Sequence, residues 1–244
     1  MSAHPTGTPQ HEPAPNTRGH GAAGSTPARS SQLAQLLDAL KLQASPQQRE
    51  QLLAYLDLLQ RWNRVYNLTA VREPQHMLTR HLADCLALLP ALATQSPRRL
   101  LDVGSGGGLP GLVLAIMRPD MHVTLNDAVQ KKCAFMQQAA AELRLQNVDV
   151  EHGRVEQLAC PAFDCITSRA FSDLATLVKL TAPLLAENGR WAAMKGIPPQ
   201  EELAALPADL ETHVQVLSVP GLQAQRCVVW MLRRSIATQH RDSR

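Results

Sequence analysis

Between residues 33 and 89 apolar side chains recur every three or four positions, and from residue 98 onward they gather into short runs separated by longer mixed stretches. The first pattern is helical and the second belongs to strands with crossover helices. Leu33, Leu36, Leu37 and Leu40 form the i, i+3, i+4, i+7 stripe of a short amphipathic helix, with Ser31 as its N-cap. A second helix starts at "SPQQ", residues 45 to 48: a Ser N-cap, Pro at the first helical position and Gln48 where a capping box places it. Its buried face is Leu52, Leu53, Leu56 and Leu59. A third helix, beginning near Pro74, buries Leu78, Leu82, Cys85, Leu86 and Leu89.

The short apolar runs predict strands at 98–104, 122–127, 148–153, 163–169 and 190–196, with helices near 109–118, 128–145 and 172–186. Two more β-rich runs, 213–219 and 226–233, have no long helix between them and read as a closing antiparallel pair. The expected fold is α/β: a Rossmann-like, mostly parallel seven-stranded sheet with an N-terminal helical cap.

Composition divides the chain further. Residues 1–30 contain no Leu, Ile, Val or Phe and read as a disordered extension. The cap then spans 31–96, the sheet domain 97–234, and a basic tail 235–244. In a chain of 244 residues with 45% hydrophobic content, no stretch approaches the roughly 18 apolar residues of a membrane span. No secretory leader is visible at the start, so a globular, cytoplasmic protein is expected, with a monomer as its expected state. Five cysteines without a CxxC pair suggest buried thiols rather than disulfides or a metal centre, and no metal is expected.

The chemistry concentrates in "LLDVGSGGGLPG", residues 100 to 111. A glycine turn between a buried strand and a helix brings main-chain amides close to a ligand. Gly106-x-Gly108-x-x-Gly111 is the dinucleotide fingerprint. Asp102-x-Gly104-x-Gly106-x-Gly108 is the acid-led loop of S-adenosylmethionine-dependent methyltransferases. Asp102 favours the second, because a carboxylate repels a pyrophosphate and attracts a sulfonium. Asp127, at the end of the second strand, suits ribose hydroxyls in either case. Glu156, after the third strand, suits an adenine amino group, with the backbone of Val155 beside it. Acids after three successive strands fit a ligand without phosphates.

"DVGSGGGLPG", "FDCITSRAFSDL" and "MKG", with "NLTAV" at 67–71 and "RHLADCLAL" at 80–88, resemble the bacterial small-subunit ribosomal RNA methyltransferase G family, also called glucose-inhibited division protein B. The resemblance runs from about residue 33 to 234. It implies a class I fold, S-adenosylmethionine as cofactor, and methylation of one guanine N7 in the decoding-site region of 16S ribosomal RNA, with that RNA or the small subunit as partner. It also implies that Gly104, Leu109, Val155, Glu156 and Arg169 line the donor site with Gly106 of the loop, and that Asp127 is the ribose acid. Asn126, Gln130 and Cys227 stand where the family more often has an aliphatic residue, a glycine and a histidine.

Guanine N7 carries a lone pair and no proton, so methylation needs positioning and no general base. No catalytic acid or base is assigned. Arg80 and Lys195 are the candidate substrate contacts, with a solvated strand end the competing reading for Lys195. His81 reads as a core histidine. Trp62 and Tyr66, beside Arg61 and Arg64, read equally as base-stacking groups or as anchors between cap and sheet. Six Lys and Arg against three acids over 41–81, and five Arg against one Asp over 226–244, would suit phosphates. Two other functions remain open: an NAD(P)-dependent oxidoreductase using Gly106, Gly108 and Gly111, and a non-catalytic RNA-binding assembly factor.

Overall fold

The computed structural model describes residues 27–69, 71 and 74–234. The expected basic tail and most of the expected N-terminal extension lie outside them. The first helix, α1 (Pro27–Ala39), starts ahead of Ser31. Ser31 is therefore not its N-cap, and residues 27–30 belong to the helix rather than to the extension. Leu33, Leu36 and Leu37 are buried as the spacing requires.

Helix α2 (Pro46–Tyr66) begins with the capping box read from the sequence: Ser45 Oγ accepts from Gln48 N, and Gln48 Oε1 accepts from Ser45 N. Gln48 does more than cap its own helix. Its Nε2 donates to the carbonyls of Ile116 and Met117 at 2.9 and 3.2 Å, satisfying the otherwise open end of α6 (Gly111–Met117). Gln51 donates in the same way to Leu143 O, just beyond α7 (Gln130–Glu142). One polar stripe on α2 thus ties it to two helices of the sheet domain.

The third predicted helix is broken into pieces. α3 (Pro74–Met77) runs into a π-helical segment, Leu78–Ala83, then α4 (Asp84–Leu86) and α5 (Leu89–Ala93). Leu78, Leu82, Cys85, Leu86 and Leu89 are all buried. The wider π turn, a geometry common at functional sites, sits where Arg80, His81 and Asp84 meet the ligand side of the sheet.

Seven strands form one sheet in the order β3-β2-β1-β4-β5-β7-β6. They are β1 (Arg99–Val103), β2 (His122–Asp127), β3 (Val148–His152), β4 (Phe163–Arg169), β5 (Leu185–Lys195), β6 (Leu210–Val216) and β7 (Cys227–Arg233). β1 to β5 are mutually parallel and β7 runs antiparallel to β5 and β6. The sequence placed β5 five residues late and β6 three residues late. β5 gains its first half by pairing Leu185 with Phe163 across an irregularity in register, a contact that no local pattern encodes. Helix α8 (Leu174–Thr181) is correspondingly shorter than expected. The short α9 (Gln200–Ala204) buries no residue, so it left no periodic signal.

Side chains alternate across the sheet. Leu100, Cys165, Ala192 and Met194 join the core beneath α1, α2, α6 and α7, whereas Leu101, Ile166, Trp191 and Ala193 join the core beneath α8. The N-terminal helices therefore share one continuous core with a face of the sheet. Trp62 belongs to it as an anchor, edge-on to Phe135 of α7 at 5.5 Å.

Replacing Gln48 by Ala removes half of the capping box and both bonds to α6. We expect a loss of about 2 kcal/mol, read as a lower urea midpoint with an unchanged m-value.

Candidate functional site

The sheet order reverses between β1 and β4, and ligands of such sheets bind beyond the strand ends at that point. Two cavities lie there and share Gly104 in their walls. The larger, about 810 Å³, is lined by the loop residues Gly104–Gly107 and Leu109, the ends of β4 and β5, the segment after α2, the π-helical segment and the β6–β7 connection. The smaller, about 230 Å³, lies between the ends of β2 and β3 and contains Asp127, Gly153–Glu156 and Phe171.

Gly104 has a φ of +67°, and a Cβ there would stand 2.7 Å from the Phe171 ring. The loop that follows is held from within by two carboxylates. Asp102 Oδ2 accepts from Gly111 N at 2.8 Å, and Asp127 Oδ2 accepts from Gly106 N at 3.0 Å. The amides of Ser105, Gly108 and Leu109 go to Asn126 O and Ser105 O. Tyr55 of α2 adds a hydroxyl donated to Gly107 O at 2.6 Å. Gly111 packs so tightly that a Cβ would strike Leu125 and stand 2.8 Å from Asp102 Oδ2. It starts α6 and makes no ligand surface.

Asp102 is placed otherwise than expected. It is fully buried beneath the loop and lines neither cavity, so it does not face a sulfonium directly. Burial raises its carboxyl to about 7, opposed by the Gly111 amide and the charge of Arg169. Its Oδ1 has no partner among the described residues.

Every sequence-predicted site residue borders one of the two cavities. Asp127, Val155 and Glu156 lie in the smaller one; Gly106, Leu109, Arg169, Arg80 and Lys195 lie in the larger; Gly104 joins them. Asp127 is almost fully buried and already accepts from Gly106 N, Val129 N and, at 3.4 Å, Lys132 Nζ. Asn126 is buried below it and donates to Glu151 O and Gly153 O, which fixes the turn after β3. This is work that an aliphatic residue could not do. Lys195 is committed: its ammonium donates to Ser172 O and to both oxygens of Glu202, and Glu202 also accepts from Leu174 N. His81 is buried as expected, with Nε2 on Thr69 Oγ1, but its Nδ1 has no partner among the described residues. Burial, helped by Arg169, lowers its pKa to about 4, so it is neutral at physiological pH.

Two residues on the larger cavity were not picked out from the sequence. Asp84, almost fully buried, accepts from Arg169 Nη1 at 3.2 Å and from Arg226 Nε at 2.8 Å. It draws together the π-helical segment, the end of β4 and the β6–β7 connection. Arg226 lies 142 residues from Asp84, and nothing local announces the pair. Among the described residues the larger cavity thus carries Arg80, Arg169, Lys195 and Arg226 against Asp84 as its one carboxylate. The smaller has Asp127 and Glu156 against Arg154.

The family model for rRNA small subunit methyltransferase G matches residues 48–229. The chain belongs to that family. It is 56% identical over 204 residues to the ribosomal RNA small subunit methyltransferase G of Leptothrix cholodnii, covering 82% of this chain and 94% of that protein. The Methylobacillus flagellatus protein of the same name is 57% identical over 186 residues, 76% of this chain and 89% of that one. Among solved structures, the O-methyltransferase TomG of Streptomyces achromogenes, in complex with SAM, aligns with a TM-score of 0.54 at 14% identity, over 87% of this chain and all of that one. A Geobacter sulfurreducens methyltransferase aligns at 0.53 and 15% identity, over 84% and 96%. The fold is that of class I methyltransferases.

The buried carboxyl sets a pH dependence. Between the unfolded value of 3.8 and about 7 the folded chain keeps a proton on Asp102 that the unfolded chain has released. Stability therefore falls as pH rises through that window, and the loss is complete above it. Asp102→Asn lacks this titration. Relative to the wild type it should gain about 2–3 kcal/mol between pH 5 and pH 8, measured by urea unfolding of both proteins at each pH. An unchanged difference would refute the assignment.

Proposed function

We propose that this chain transfers the methyl group of S-adenosylmethionine to N7 of a guanine in 16S ribosomal RNA, in the cytoplasm. One observation carries the choice of donor. The loop amides that a pyrophosphate would need, those of Ser105, Gly106, Gly108, Leu109 and Gly111, are bonded inside the protein. The smaller cavity offers acceptors instead. A nucleoside with donor groups and no phosphates fits that chemistry, and a dinucleotide does not. A purely structural assembly factor would have no use for an acid-lined nucleoside cavity opening onto a basic one.

The residues fit the donor in the following way. Val155 and Glu156 would hold the adenine and Asp127 the ribose, while Gly104, Gly106, Leu109 and Arg169 would surround the methionine end. A carboxylate accepts about four hydrogen bonds. Asp127 thus has room for one ribose hydroxyl, and a second would take the place of the long Lys132 contact. S-adenosylmethionine supplies an electrophilic methyl group on a sulfonium.

The chain's own task is then orientation. Guanine N7 has no proton to lose, so His81, neutral and buried, need accept none. Cationic side chains around the larger cavity suit the phosphates of the substrate. A guanidinium donating to guanine O6 alone would fix the base while leaving the N7 lone pair free to attack. A bidentate contact to O6 and N7 would block the reaction. Asp84, by holding Arg169 and Arg226, limits where those guanidiniums can point.

Small subunits from a strain lacking this gene, incubated with the purified chain and S-adenosylmethionine, should gain one borohydride–aniline cleavage site in 16S RNA, the mark of N7-methylguanosine. Absence of a new site would reject the activity. Isothermal titration should give binding with S-adenosylmethionine and none with NAD. Gly104→Ala, which pushes on Phe171 at a positive φ, should weaken donor binding at least tenfold, about 1.4 kcal/mol or more.

A further inference from the structure

Large apolar side chains left in water mean little singly. In this protein most of them adjoin, along the chain, residues that line the two cavities. Five are exposed among the described residues: Val65, Tyr66, Val129, Ile197 and Val216. Four of them stand within three residues of a cavity wall. Val65 and Tyr66 precede Leu68 and Thr69, Val129 follows Ala128, and Ile197 follows Gly196.

Tyr66 is the aromatic member and packs on Trp62. It is the last residue of α2, its ring centroid 4.9 Å from that of Trp62, which Phe135 fixes in turn. Although it continues that column it remains 41% exposed, and Val65 beside it is 70% exposed. The surrounding charge is positive. Arg64 is exposed and makes no ion pair among the described residues, and Arg80 is exposed on the wall of the larger cavity. Isolated apolar groups interleaved with exposed guanidiniums match one kind of polymer, a single-stranded nucleic acid whose bases and phosphates alternate. A protein partner would call for a broader continuous apolar face.

We propose that Tyr66 is a stacking platform for an unpaired base next to the target guanine, with Arg64 and Arg80 taking the phosphates on either side. The inference rests on the ribosomal RNA reading above and adds to it the form of the substrate: the target is presented in an unpaired strand. The aromatic face selects the strand state, since a duplex keeps its bases stacked on one another.

The test uses the full-length chain and a short fluorescein-labelled single-stranded oligoribonucleotide of mixed sequence, followed by anisotropy without donor. Tyr66→Ala should weaken binding about fivefold or more, and Tyr66→Trp should restore it to within about twofold. A duplex of the same length should bind the wild type less tightly than the single strand. Affinity for S-adenosylmethionine should not change in either variant, which checks that each is folded. With small subunits as substrate, Tyr66→Ala should raise KM and leave kcat nearly unchanged. Equal oligonucleotide affinity of wild type and Tyr66→Ala, or no preference for the single strand, overturns the platform. If the wild type methylates small subunits while Tyr66→Ala binds and methylates as well as it does, the platform fails and the methyltransferase reading stands. If Tyr66→Ala loses single-strand affinity but the wild type methylates no small subunit, the platform stands and the proposed reaction fails.

Discussion

Two carboxylates at the ends of adjacent strands hold the glycine loop by its amides, and the rest of the site depends on that grip. Asp102 fixes the first amide of α6 and Asp127 fixes Gly106. Between these points the chain bends through positive φ at Gly104, Gly106 and Gly108. The position of α6 follows, because Gly111 lies so close to Asp102 and Leu125 that the helix can start nowhere else. The position of α2 follows in turn, since Gln48 bonds the far end of α6 and Tyr55 bonds Gly107. A buried carboxylate with one oxygen unpartnered is costly. The amide it binds, at the positive end of a helix, offsets part of that cost.

The same loop divides the ligand space by charge. On the side of β2 and β3 the walls carry acceptors, and on the side of β4, β5 and the β6–β7 connection they carry cations. Of those cations Lys195 is neutralised by Glu202, and Arg169 and Arg226 share Asp84. Arg80 is the one that reaches solvent without such a partner among the described residues. Buried charge networks add little net stability, because desolvation cancels much of the attraction. What Asp84 provides is direction: two guanidiniums from distant segments are held at one wall.

Much of this was legible in the sequence for physical reasons that can be named. Leucines at helical spacing report a buried stripe; β1, β2 and β4 read as strands because they are covered on both faces, and the edge strand β3 because Val148 and Val150 alternate with polar residues. The capping box at Ser45 and Gln48 was readable because it is local. The start of β5 and the Asp84 pair were not, since each is fixed by a partner distant in the chain. Asp102 lies between these cases. Leu101 and Val103 face the core under α8, so alternation alone turns Asp102 with Leu100 toward α6. Its burial was readable, and was missed because an acid at a strand end invites a ligand-facing interpretation. Trp62 and Tyr66, one helical turn apart, carry the same sequence signal; α7 covers the first, and α2 ends at the second.

The glycine spacing also marks a limit of motif reading. Both patterns in residues 102 to 111 specify a backbone path: where φ turns positive and where two segments approach too closely for a Cβ. Neither specifies a ligand. A ligand is chosen by the hydrogen-bonding groups the path leaves unsatisfied, and those depend on what else the fold brings to the loop. Asn126, Asp127 and Asp102 take the amides of Ser105, Gly106 and Gly111, and Ser105 O takes that of Gly108, so Gly106, Gly108 and Gly111 can keep the dinucleotide spacing without its anion site. With an apolar residue at 102 and no acid reaching Gly106, the Gly106 amide would be free to face the cleft, while that of Gly108 would still bond Ser105 O. The acids beneath the loop, more than the glycines within it, therefore carry the information about the cofactor.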